Sequence, residues 1–137
     1  MRRILIGLAL VLAIPVRAEL VVIVSAKSPV TSLSREQVAQ LFLARATSFP
    51  GGGAVTPLDQ KEGVALRDEF YTKVVDKNPG QVKAYWAKQM FSGNGSPPRE
   101  LGSSADVKRA VAADPTAIGY VEKAALDGTV KGVLTVP

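Results

Sequence analysis

The feature that most constrains the fold is a run of five apolar residues at positions 20–24, four of which are β-branched. A continuous apolar run of this length is typical of a strand that is buried on both faces. Strands of this kind belong to sheets that have helices packed against both sides. We therefore predict an α/β domain, with a mixed sheet flanked by helices.

The rest of the chain alternates helical and strand-like patterns. Ser34, with Gln37 three residues later, forms a capping-box pattern at a helix start. Asn78 precedes Pro79 and Gln81 and marks another helix start. The predicted order is β-α-β-α-α-α-β-β, with strands at 20–24, 54–58, 117–121 and 130–136, a loop at 92–102, and an inner helix face formed by Val82, Tyr85, Trp86 and Met90.

The first 18 residues have the form of a secretion signal. Arg2 and Arg3 precede an apolar stretch at residues 4–16, and Ala18 completes a small-residue cleavage site. The stretch is shorter than the about 20 residues that cross a bilayer. We predict a signal peptide at residues 1–18, export to the periplasm, no membrane insertion after cleavage, and one domain at residues 19–137. An uncleaved anchor is the alternative.

Composition narrows the class of partner. Removal of the leader takes three arginines from a net charge of +5 and leaves a balance of +2. So small an excess of positive charge removes the main support for a nucleic-acid partner. The chain contains no cysteine, so a core of apolar side chains has to stabilise the domain without disulfides.

The absence of histidine and cysteine excludes several catalytic sites. Neither a Ser-His-Asp nor a Cys-His arrangement can form, and the usual zinc ligands are missing. The remaining enzymatic option is a carboxylate pair, Asp59 with Glu62, and the sequence favours solvated loop charges there. We therefore predict a binding protein without catalytic residues, metal ligands or a cofactor.

Residues 59–67 lead from the end of a strand, through a glycine, into a helix start. Unpaired backbone N–H groups and the helix dipole at such a start can bind an anion. Lys61 and Arg67 can add positive charge, and Arg67 can donate two hydrogen bonds to one oxyanion. A helix start that holds only water is the alternative. The predicted ligand-binding residues are Lys61, Gly63, Val64, Ala65, Leu66 and Arg67.

Three segments resemble the phosphate-type periplasmic substrate-binding proteins of ABC transporters. Residues 30–45 resemble the start of their second lobe, a Leu-Ser/Thr-x-x-Gln stretch that leads to Ile-Phe-x-Gly-Lys. Arg67-Asp68-x-Phe70 resembles the helix after their anion loop, and residues 117–121 match their Ala-Ile-Gly-Tyr-Val strand. The three segments occur in family order. The resemblance implies a type II periplasmic-binding-protein-like domain that corresponds to a single lobe, the second.

The chain also departs from that family. Complete members have two lobes around a solute cleft, and residues 19–137 suffice for about one. The family loop Arg-x-x-Gly-Ser-Gly-Thr corresponds to Gln60-x-x-Gly63-Val64-Ala65-Leu66, so the arginine and both hydroxyls are missing. Each lost charge-assisted hydrogen bond is worth about 1.5–3 kcal/mol. High-affinity phosphate binding is therefore not expected.

The sequence leaves two functions open. The first is a periplasmic solute-binding-like protein that binds phosphate or another small oxyanion weakly and is linked to ABC-type transport. The second is a single-lobe adaptor of the cell envelope, without a small-molecule ligand, that uses the face a missing lobe would cover. Such an adaptor would pair with itself or with another envelope protein.

Overall fold

The computed structural model describes Gly7 and residues 19–137, so the predicted signal peptide lies outside the described residues except for Gly7. The strands are β1 (Leu20–Ser25), β2 (Thr56–Gln60), β3 (Arg99–Leu101), β4 (Ala117–Glu122) and β5 (Val130–Val136). The helices are α1 (Arg35–Phe42), α2 (Ala65–Phe70), α3 (Pro79–Phe91) and α4 (Ser104–Ala113). A π-helical segment, Tyr71–Val75, continues α2, and a 3-10 turn, Lys123–Ala125, follows β4. None of the described helices is long and apolar enough to cross a membrane.

The five strands form one mixed sheet in the order β3-β2-β4-β1-β5. β2 runs parallel to β3 and β4, whereas β1 runs antiparallel to β4 and β5. Every residue of β1 is buried, as the apolar run predicts. Val22 and Val24 pack with α1, α2 and α3 on one face, and Val21 and Ile23 pack with α4 on the other. The predicted α/β sheet with helices on both faces is confirmed.

Two helices begin where their capping motifs predict. The Ser34 hydroxyl accepts from the N–H of Gln37 at 3.1 Å, and the Gln37 side chain accepts from the N–H of Ser34 at 2.9 Å. Asn78 and Gln81 make the same reciprocal pair, and Pro79 is the first residue of α3. Because these motifs satisfy N–H groups that the helix itself leaves free, they fix the starts of α1 and α3.

Three predictions about local structure were wrong. The segment predicted as a loop at 92–102 contains β3, which three residues form by pairing with β2. The second strand begins at Thr56 and reaches Gln60, two residues beyond its predicted end. Met90, predicted on the inner face of α3, is 59% exposed because it lies in the last turn, beyond the edge of the core.

Gly119 lets α4 pack closely on β4. A Cβ atom at this position would lie 2.5 Å from Cγ1 of Val107 and 3.3 Å from Cγ2 of Val111. The 2.5 Å distance is shorter than real Cβ atoms show, so only glycine allows this approach without a shift of Val107. The close packing holds Ser104, the first residue of α4, within 3.1 Å of the Gln60 side chain at the end of β2.

Candidate functional site

A buried carboxylate holds the end of β2 in place. Asp59 and Gln60 are each 1% exposed. The Asp59 carboxylate accepts hydrogen bonds from the hydroxyls of Tyr71, at 2.5 Å, and Tyr120, and from the backbone N–H of Gln60 at 2.8 Å. The two tyrosines come from the π-helical segment and from β4. One carboxylate therefore joins three elements of the fold.

The interpretation of Asp59 as a solvated loop charge was wrong. Tyr71 and Tyr120 are also buried, and a buried hydroxyl needs a hydrogen-bond partner. Tyr71 and Tyr120 each lie in a segment with an apolar pattern. These two tyrosines were the only signal in the sequence that a buried acceptor such as Asp59 is needed. Glu62, by contrast, is exposed, so the two carboxyls do not form a buried acid-base pair.

Burial controls the protonation of this cluster. It raises the pKa of Asp59, although the two tyrosine hydroxyls, Arg67 and the Gln60 N–H oppose the rise. Burial also raises the pKa of Tyr71 and of Tyr120, and the nearby carboxylate adds to both shifts. Both tyrosines therefore stay neutral and remain hydrogen-bond donors.

Arg67 lies next to the cluster and is already paired within the chain. Its Nη1 donates to the Gln60 carbonyl at 2.8 Å and to Oε1 of Glu100 at 2.6 Å, and lies 3.7 Å from Oδ2 of Asp59. The guanidinium also lies over the Tyr71 ring, 5.3 Å from its centroid. Burial alone would lower the pKa of Arg67, but Asp59, Tyr71 and Glu100 together raise it. Arg67 is therefore charged and held in one place.

The backbone of the predicted anion loop, residues 61–67, forms a turn into α2. Gly63 has φ +91°, a conformation that glycine adopts without strain. Val64 is the N-cap of α2 and has no side-chain capping bond. Its own N–H donates to the Lys61 carbonyl at 3.2 Å, so this amide is not free for a ligand.

The side chains of the loop differ in how much of each is exposed to solvent and so to a ligand. Ala65 is exposed and Leu66 is buried in the core, and both lie at the start of α2, where N–H groups have no acceptor within the helix. Lys61 is exposed and makes no ion pair with another described residue. Arg67 keeps 14% of its side chain exposed. The structure therefore places Arg67 and the first amides of α2 in one region.

Gln60, which stands where the resembled family has an arginine, has a structural role. Its Nε2 donates to Oγ of Ser104 at 3.1 Å and to the Tyr120 carbonyl at 3.0 Å. Both amide hydrogens are thus used within the fold. The side chain connects β2 to α4 and β4 and has no donor left for a bound anion.

A groove of about 300 Å³ lies beside Arg67 and is lined mainly by apolar side chains of α3, among them Val82, Trp86 and Met90. Arg67 and Glu100 also line it, so their ion pair is accessible from the groove. Within residues 19–137, no group of three or more acidic side chains is arranged to hold a metal ion.

The fold is similar to that of solved phosphate-transport proteins. A Clostridium perfringens protein assigned as a phosphate ABC transporter substrate-binding protein, solved with bound phosphate, has a TM-score of 0.66 and 20% identity over 85% of this chain. An ABC-type phosphate transport receptor from Vibrio cholerae has a TM-score of 0.66 and 17% identity, and PstS from Borrelia burgdorferi has 0.62 and 12%. No protein-family model matches the chain, and no curated protein matches it in sequence.

The comparison confirms the predicted fold at the level of one lobe. The match covers 85% of this chain but only 45–47% of those three neighbours, so the chain spans about half their length. The mixed five-stranded sheet with flanking helices is the part they share. Identities of 12–20% show the shared fold and do not transfer a ligand.

Proposed function

We propose that this chain is an exported periplasmic solute-binding-like protein that binds phosphate or another small oxyanion weakly at residues 61–67 and works with an ABC-type transporter. One observation carries the proposal. The Arg67 guanidinium is held at the carboxyl edge of the parallel strands β2 and β3, on the Gln60 carbonyl and on Glu100, and Arg67 itself belongs to the first turn of α2. Phosphate bound to a neighbour of the same fold adds support. The proposed role is binding, without catalysis.

The Arg67–Glu100 pair explains why the proposed binding is weak. Glu100 lies in β3 directly opposite Asp59 of β2, and this register brings its carboxylate to Arg67. The Glu100 carboxylate already accepts a hydrogen bond from Nη1 of Arg67. An oxyanion that binds Arg67 therefore has to share this nitrogen with the carboxylate or displace the carboxylate from it. The side chain of Glu100 is 44% exposed, so it can move away without unfolding the strand. Binding should also weaken with added salt, because the contact is near the surface.

Replacement of Glu100 by glutamine should strengthen phosphate binding about two- to fivefold. The substitution keeps the shape of the side chain but removes the competing charge, and an exposed ion pair is worth about 0.2–1 kcal/mol. Isothermal titration of wild-type and Glu100→Gln protein with phosphate at low salt measures the change. Glu36→Gln, an exposed substitution of the same type on α1, is the matched control.

The titration distinguishes weak phosphate binding that Glu100 opposes from an absence of oxyanion binding. Weak saturable heat from wild-type protein and tighter binding by Glu100→Gln, with Glu36→Gln unchanged, is the expected result. Folded protein that gives no heat with phosphate or other small oxyanions, in both wild-type and Glu100→Gln forms, contradicts the proposed function. Circular dichroism of each variant verifies that the protein is folded.

A further inference from the structure

Two large apolar side chains are exposed side by side at the end of α3. Phe91 is 96% exposed and Met90 is 59% exposed, whereas Trp86, one turn earlier, is only 6% exposed. They are the large apolar side chains most exposed to solvent in the described part of the chain. A single exposed apolar residue is ordinary, but two adjacent ones beside a concave apolar surface indicate an interaction site.

One residue of the exposed pair, Met90, also lines the groove of about 300 Å³ described above. The groove is lined as well by Pro79, Val82 and Trp86 of the same helix and by Pro97 from the following loop. One helix therefore presents both a protruding aromatic side chain and an apolar groove that can receive one. A surface with both features can be complementary to itself, which is the requirement for a two-fold symmetric pair.

Charges around the groove and around Phe91 are complementary. Apart from the Arg67–Glu100 ion pair, the charged side chains that line the groove are Glu62, Asp68 and Lys83, so this part of the rim is acidic. Neither Glu62 nor Asp68 makes an ion pair with another described residue. Lys88 is exposed and lies three residues before Phe91, on the same side of α3. A copy that inserts Phe91 would bring Lys88 to an acidic rim.

We propose that two copies of this chain pair through α3, with Phe91 of each copy in the groove of the other and Lys88 of each facing the acidic rim at Asp68. The inference goes beyond anion binding and does not depend on it. Phe91, Lys88 and Asp68 lie outside the proposed oxyanion-binding residues, but Arg67, which is one of them, also lines the groove, so a paired copy would cover the Arg67–Glu100 ion pair. Sedimentation without added oxyanion therefore tests the pairing separately from the phosphate titration.

Sedimentation velocity across a series of protein concentrations tests the pairing. Wild-type protein should shift from monomer to dimer as concentration rises, and Phe91→Ser should weaken this association at least about tenfold, the effect of removing a central aromatic anchor. Phe91 is almost fully exposed in one copy, so the thermal unfolding midpoint of dilute Phe91→Ser should match that of wild-type protein. A monomer at every concentration, or equal dimerisation of Phe91→Ser, overturns the proposal.

Charge reversal tests the orientation of the pair. Lys88→Glu and Asp68→Lys should each weaken dimerisation by like-charge contact with the partner. An equimolar mixture of the two variants should regain dimer, because every facing pair is then of opposite sign. Recovery of the mixed dimer supports the proposed contact. A mixture that associates no better than either variant alone overturns the placement of Lys88 at Asp68.

Discussion

Asp59→Ala should lower the free energy of unfolding by about 3–5 kcal/mol, the range observed when one partner of a buried charged network is removed. The carboxylate accepts from Tyr71, Tyr120 and the Gln60 N–H, and it lies 3.7 Å from Arg67. Alanine would leave two buried hydroxyls without an acceptor, and each such loss costs about 1–3 kcal/mol. Urea denaturation followed by circular dichroism measures the difference.

Asp106→Ala is the matched control for Asp59→Ala. The Asp106 side chain is 47% exposed and makes an ion pair, at 3.6 Å, with Arg109 on the same helix. Removal of an exposed pair of this kind should cost less than about 1 kcal/mol. Equal losses of stability in the two variants would contradict the structural role assigned to Asp59.

Phe70→Ala should lower the free energy of unfolding by about 3–5 kcal/mol, the usual cost of this truncation in a core. The Phe70 side chain is completely buried. Its ring stacks on Tyr120 with centroids 4.1 Å apart and meets the edges of Phe42 and Tyr71 at 4.7 and 5.2 Å. The cavity left by alanine would lie beside both tyrosines that donate to Asp59, so the network at the end of β2 should loosen as well.

Phe91→Ala is the matched control, because it makes the same chemical change at a position that is 96% exposed. At a protein concentration where the chain is monomeric, it should change the unfolding free energy by less than about 0.5 kcal/mol. Urea denaturation of both variants gives the comparison. A Phe70→Ala protein as stable as Phe91→Ala would show that the aromatic cluster does not form the core described above.

Elements with a strong local signal could be predicted from the sequence. β1 follows from its apolar run, and the starts of α1 and α3 follow from Ser34 and Asn78, whose capping partners lie three residues away. Each of these signals depends on neighbours within one or two helical turns. β3 has no comparable signal, because its three residues become a strand only through pairing with β2, about 40 positions earlier.

At the candidate site, the local turn could be predicted from the sequence, whereas the contacts of its side chains could not. The strand before Gly63 and the glycine itself predict the turn into α2. Arg67 lies in the helix that follows this turn. The pairing of Arg67 with Glu100, 33 residues later, depends on the register of β3. Burial of Asp59 likewise depends on Tyr71 and Tyr120, 12 and 61 residues away. Contacts at such separations arise from the sheet order, which local patterns do not specify.

The central claim is that a small oxyanion binds at residues 61–67, and an amide chemical-shift titration of isotopically labelled protein with phosphate tests it most directly. We expect progressive shifts for the amides of Ala65 and Leu66 and for the Arg67 side chain, with the amide of Lys27 unchanged. Lys27 follows the last residue of β1. Because β1 runs antiparallel to β4, and β4 runs parallel to β2, Lys27 lies at the edge of the sheet opposite to residues 61–67. Absence of shifts at residues 61–67, or shifts confined to another region, would contradict the account.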